Sequence, residues 1–318
     1  MPNAIHRAIS RSTVKTENSS RLDRDASPSD RPTSSGGSWT TRATTDDGTD
    51  ETKMFFASLN TLAPVSIVLI HILFSSHLEW RHVWPKLSEY HLLIPDLPGH
   101  SRSRHIEPFS FALAADLIAQ MIREHADGHA HIVGISTGGF IAMELIRRHP
   151  DVVQSVFVSG SVPLSDFWKS FSKPKITYLG LTALLYSPNS ILLKATGWAP
   201  ELQNEKLLKE IKRNTTSRLT EAGVKDTNKW KREDIEEVGK KDKRIALIAS
   251  GKHDNVKETL ECGRLLKESG EGPGKESRAF IVKEAIHSWN LQLPELFARG
   301  VRAWIEGFPL PLEFEPLE

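Results

Sequence analysis

His131-Ile132-Val133-Gly134-Ile135-Ser136-Thr137-Gly138-Gly139 is the stretch whose reading decides the fold of this chain. Its apolar residues form a strand pattern that runs straight into Gly-x-Ser-x-Gly. A helical pattern follows at once. Phe140, Ile141, Met143, Leu145 and Ile146 are apolar, Arg147, Arg148 and His149 put cations on the last turn, and Pro150 stops it. The pentapeptide alone carries little weight, since roughly one chain of this length in ten holds it by chance. Its place between strand and helix is what counts. A serine at such a turn is held in a strained conformation, and a side chain at Gly134 or Gly138 would collide with the turning backbone. The helix beginning past Ser136 also aims free backbone N–H groups at any oxygen above the serine. This is the pattern of a nucleophilic serine on an elbow.

Strand and helix signals alternate on both sides of this stretch. Strands are expected over Phe55 to Ser58, Ser66 to His71, His91 to Leu97, His131 to Ser136, Gln154 to Gly160, Arg244 to Gly251 and Arg278 to Lys283. Several are unbroken Val/Ile/Leu runs, which suits parallel strands covered on both faces. Leu113, Leu117 and Met121 mark a helix before the elbow strand, and Leu293, Phe297, Val301 and Ile305 mark a last helix ending at Gly307. The alternation predicts an α/β fold over residues 54–308 with a doubly wound, mostly parallel sheet. It lapses between about residues 163 and 240. There an apolar part, Ile176 to Leu193, precedes a charged helical part with Leu207, Leu208 and Ile211 on a narrow stripe. An insertion over the carboxyl ends of the strands makes a helical lid; the alternative is a set of extra core helices.

Composition bounds the rest. Residues 1–52 are rich in Ser, Thr, Arg and Asp and read as a disordered tail, and residues 309–318 read as a short C-terminal tail. The net charge of +1 gives no charge-driven attraction to nucleic acid or membrane. Cys262 is the sole cysteine, so no disulfide can form within the chain, and with no signal pattern a cytoplasmic location is expected. Met54 to Phe74 has the length of a membrane span, but Asn60, Thr61, Pro64 and His71 interrupt it, and two short strands fit better. No ligand cluster calls for a metal or cofactor, and nothing in the sequence indicates an oligomeric state.

A reactive serine needs a base within reach, and the base needs an acid to fix its tautomer. Both should stand at strand ends on the edge that carries Ser136. Asp254 follows the strand Arg244 to Gly251 through a glycine turn; Asp166 is the rival acid. His287 lies beyond the last long strand and before the final helix; His253 is the rival base. The chain order Ser136, Asp254, His287 is that of a serine set on a doubly wound sheet.

With these residues the chain resembles the α/β-hydrolase family, from about residue 54 to 308. Ile94-Pro95-Asp96-Leu97-Pro98-Gly99-His100-Ser101 looks like the family's loop after its fourth strand, and His287-Ser288-Trp289 precedes the last helix as in the family. The resemblance implies acyl transfer to water, with Ser136 attacking, His287 moving the proton and Asp254 orienting the imidazole. It also implies an oxyanion hole made by the backbone N–H groups of Thr137 and Leu73. The family usually has His-Gly where this chain has His71-Ile72, and a β-branched residue at positive φ is strained. The expected function is hydrolysis of a carboxylic ester or thioester, or a carbon–carbon bond beside a ketone. The substrate is an apolar small molecule, with His71, Trp168 and Trp289 as pocket residues. The alternative is a non-hydrolytic, ligand-binding member with an oxyanion loop altered at Ile72.

Overall fold

Among the described residues, eight strands form one sheet in the order β1-β3-β2-β4-β5-β6-β7-β8. They are β1 (Phe56–Leu59), β2 (Ser66–Ile70), β3 (His91–Pro95), β4 (Ala130–Ile135), β5 (Val153–Ser159), β6 (Arg244–Ser250), β7 (Arg278–Val282) and β8 (Glu315–Pro316). The computed structural model describes residues 53–162, 173–196 and 204–318. Strands β2 to β7 run parallel, while β1 and β8 pair antiparallel at the two edges. The expected α/β architecture is therefore present. Residues 1–52, Asp166 and Trp168 lie outside the described residues.

Why the strands read as unbroken apolar runs is visible in β2. Ile67, Val68, Leu69 and Ile70 are all fully buried. Val68 and Ile70 join a core with α1 (Phe111–His125) and α2 (Thr137–Arg148), while Ile67 and Leu69 face Trp80, Phe297 and Val301 on the other side. Each such side chain contributes about 2 kcal/mol of burial, so both faces of the sheet drive folding. The segment Met54 to Phe74 thus holds the two strands β1 and β2, and among the described residues no helix is long and apolar enough to cross a membrane.

Between β5 and β6 the described helices are α3 (Pro174–Leu185), α4 (Asn189–Thr196), α5 (Glu205–Asn214), α6 (Ser217–Thr227) and α7 (Arg232–Gly239). They differ in character. Ile235 and Val238 of α7 are fully buried in the same core as α2 and α8 (Val256–Ser269). In α3, by contrast, Ile176 and Leu179 are more than half exposed. After the short α9 (Trp289–Gln292) comes α10 (Pro294–Glu306), closed by Gly307 at φ 74°.

The chain beyond α10 is held in place. Phe314 is buried, and β8 pairs with β7 through Ile281 opposite Glu315 and Phe280 opposite Pro316. Gly300 makes the room, because a Cβ there would lie 2.3 Å from the Phe314 ring. A lone aromatic in a proline-rich stretch gave no periodic signal, so residues 309–318 read from sequence as a tail.

Candidate functional site

Strand register brings the site together. Ile70 stands opposite Gly134, Ile135 opposite Ser159, and Ser159 opposite Ile248, so β2, β4, β5 and β6 end at one rim. The chain reverses its direction of travel across the sheet between β2 and β4, which is where open α/β sheets form their crevices.

Ser136 occupies the turn from β4 to α2 at φ 54°, ψ −120°, a conformation that L-residues adopt only under constraint. Its N–H donates to the Ser159 carbonyl at 2.8 Å, and its own carbonyl accepts from Gly139 N–H and from Ser161 Oγ. The flanking glycines are needed for space. A Cβ on Gly134 would sit 2.5 Å from the Gly138 carbonyl group, and one on Gly138 would sit 2.2 Å from the Ile70 oxygen. Both clashes are against backbone, which cannot rotate away. We expect Gly138→Ala to lower unfolding stability by about 2–3 kcal/mol in urea titration. An unchanged midpoint would mean that the elbow is looser than its geometry.

Asp254 and His287 meet across two loops. His287 Nδ1 and Asp254 Oδ1 are 2.8 Å apart, and Asp254 Oδ2 accepts the Ser250 N–H at 2.8 Å. Burial alone would raise the Asp254 carboxyl, but the hydrogen bond and charge of His287 and the Ser250 amide together hold it below its usual value. The imidazole lies against Gly160, where a Cβ would come within 2.6 Å of His287 Cε1. Gly160 directly follows the residue that holds the Ser136 amide. His253, the rival base, is exposed and accepts the His287 backbone N–H at 3.1 Å, so it braces the loop of the other histidine.

The loop after β2 is pinned at nearly every backbone group. Ile72 N–H donates to Glu79 Oε2, Phe74 N–H to His100 Nε2 and His77 N–H to Asp96 Oδ1. Asn214, at the end of α5, donates to the carbonyls of Phe74 and Ser75. Among the described residues, the Leu73 amide in this loop and the Thr137 amide at the start of α2 have no protein acceptor. Ile72 does not carry the positive φ that its departure from His-Gly would have strained. That conformation falls two residues later, on Phe74 at φ 71°.

Two of the expected pocket residues, His71 and Trp289, are buried and hydrogen-bonded to neighbouring strands and loops. His71 is fully buried, with Nε2 accepting the Leu97 N–H and Nδ1 within 2.7 Å of the Ile72 carbonyl. Burial pulls its pKa down to about 4, so the ring is neutral. Trp289 is also fully buried; its Nε1–H donates to Ser159 Oγ and its ring packs on Phe297. A strand-end histidine and a tryptophan beside His287 look alike in sequence whether they line a pocket or support one. Sequence reading passed over Glu79, Asn214 and Asn290. Ser76-His77-Leu78-Glu79 has the form of a helix-capping box, which hides an inward-facing carboxyl.

A serine elbow on this sheet, with a histidine–aspartate pair at the neighbouring strand ends, defines the class of α/β-hydrolase folds. Residues 65–183 match the alpha/beta hydrolase fold family. An AB hydrolase superfamily protein of Gibberella zeae is 47% identical over 113 residues, or 35% of this chain and 40% of that protein. A pimeloyl-[acyl-carrier protein] methyl ester esterase of Neisseria meningitidis is 46% identical over 66 residues, 21% of this chain and 24% of that one. The matched stretches thus span well under half of these relatives' own lengths. The crystal structure of the α/β-hydrolase MGS-M2, from a Medee basin deep-sea metagenome library, superposes with TM-score 0.61 at 18% identity. It covers 78% of this chain and 91% of its own. The chain has the α/β-hydrolase fold, and its residues 65–183 match that family.

Proposed function

We propose that this protein is a serine hydrolase that cleaves a carboxylic ester or thioester of an apolar small molecule. The observation that carries this reading is the 2.8 Å contact between His287 Nδ1 and Asp254 Oδ1 at the rim where Ser136 turns. With Nδ1–H donating to the carboxylate, Nε2 is left unprotonated and able to accept the serine proton. Ser136 Oγ attacks the carbonyl carbon, and the oxyanion is held by the Thr137 and Leu73 amides. His287 returns the proton to the leaving alcohol or thiol, and water then releases the acid by the same route in reverse. The ordinary backbone at Ile72 supports a working hole over a purely ligand-binding role. A relative named for a methyl ester points the same way.

A fluorophosphonate probe tests the assignment. We expect a single adduct on the peptide containing Ser136, found by mass spectrometry, and none on the Ser136→Ala protein. A panel of short and long acyl esters and thioesters run in parallel should show a preference for apolar acyl groups. Labelling at another residue, or ester turnover that persists in Ser136→Ala, overturns the assignment.

A further inference from the structure

Glu79 is a carboxyl that the proposed chemistry does not use, yet it lies at the centre of the site's support. It sits in the 3-10 turn His77–Trp80 and is fully buried. Oε2 accepts the Ile72 N–H at 3.1 Å, and Oε1 accepts from Asn290 Nδ2 at 2.8 Å. Ile72 directly precedes Leu73, the proposed donor to the substrate oxygen. Asn290 follows His287 by three residues and is itself fully buried in α9. One side chain therefore spans the two loops whose separation sets the distance between oxyanion donor and base.

We propose that Glu79 is a positioning residue, a strut that ties the oxyanion loop to the His287 loop so that the two keep one register during turnover. This rests on the serine-hydrolase reading. A carboxyl in this place costs free energy unless its atoms are matched, which makes it a poor choice for simple packing. Burial pushes the Glu79 carboxyl up, and Asn290 Oδ1 is a buried oxygen without a hydrogen-bond partner. Turning the Asn290 carboxamide by a half-turn lets a protonated Oε1 donate to that oxygen, while Oε2 still accepts from Ile72. The strut acts through its shape and its hydrogen bonds to Ile72 and Asn290, and glutamine, of the same shape, can replace it.

The test compares Glu79→Gln, Glu79→Ala, Asn290→Ala and the alanine double variant on a short-acyl p-nitrophenyl ester. Unfolding midpoints and fluorophosphonate labelling are measured alongside. We expect Glu79→Ala and Asn290→Ala each to lower kcat 10- to 100-fold with KM within threefold. The double variant should be no worse than the poorer single one, and Glu79→Gln should keep kcat within threefold. Should Glu79→Ala not fold, Asn290→Ala and Glu79→Gln decide. Parental kcat in either alanine variant overturns the proposal, as does a glutamine variant as impaired as the alanine one, or a loss confined to KM. A parent protein that is neither labelled nor active overturns the hydrolase reading and the strut with it; a labelled, active parent with an indifferent Glu79 overturns the strut alone.

Discussion

Asp254→Asn should lower kcat by about four orders of magnitude while the fold stays intact. The cause is a tautomer and not a lost contact. In the parent, Asp254 accepts on both oxygens, Oδ1 from His287 and Oδ2 from the Ser250 N–H. An asparagine has one oxygen, and the Ser250 amide is a fixed donor that must keep it. The NH2 group then faces His287 Nδ1 and forces that nitrogen to accept. The ring proton moves to Nε2, where it blocks uptake of the Ser136 proton. Because the side chain is the same size and both hydrogen bonds survive, circular dichroism and the unfolding transition should show an intact protein. Initial rates on p-nitrophenyl esters provide the measurement, and fluorophosphonate labelling should slow in step. A loss of less than tenfold would mean that Asp254 does not orient the base.

Why part of this was legible in the sequence and part was not follows from distance along the chain. The strand, the Gly-x-Ser-x-Gly turn and the capped helix are local patterns, and the glycines at 134 and 138 answer to clashes within a few residues or with the next strand. The parallel sheet announced itself because β2 and β4 must bury both faces. Asp254 and His287 were findable through topology, since each follows a strand that must end at the same rim. What topology does not determine is the direction in which a side chain points. His71 and Trp289 share their loops with the proposed reactive groups, and only packing turns both inward as supports. Glu79 and Asn290 are 211 residues apart and meet solely because both loops close over the same rim. Phe314 is a similar case, since its place depends on the absence of a side chain at Gly300.

Unfolding stability should fall by several kcal/mol between pH 6.5 and pH 4.5, before most carboxylates titrate. The groups responsible are the histidines that brace the loop after β2. His71 and His100 are fully buried and meet edge to face at 5.0 Å. Each uses one ring nitrogen to accept a backbone N–H, from Leu97 and Phe74 respectively. Burial holds the His71 pKa at about 4; burial first, and then the neighbouring His71, holds that of His100 at about 3. Both lie below the ordinary value of 6.5 that the unfolded chain restores. Above pH 6.5 both states are neutral and nothing is lost. Below it the unfolded chain takes up protons that the folded one refuses, so stability declines until the folded rings also protonate. One pKa unit is worth about 1.4 kcal/mol, so each ring contributes on the order of 3–5 kcal/mol across its full window. His131, lowered to about 4 chiefly by burial, acts in the same direction. Glu79 works against them, because its carboxyl is raised on folding and acidification relieves that cost. His91, also lowered chiefly by burial, adds to the histidines, and Glu144, raised chiefly by burial, adds to Glu79; four histidines outweigh two acids. Urea titrations at pH 7.0 and 4.5 measure the difference, and His100→Gln, which offers an acceptor and a donor but no titration in this range, should flatten the slope. Equal stability at the two pH values would mean that the folded rings take up protons as readily as those of the unfolded chain and are charged at pH 4.5. In that case neither could accept the backbone N–H that anchors the loop.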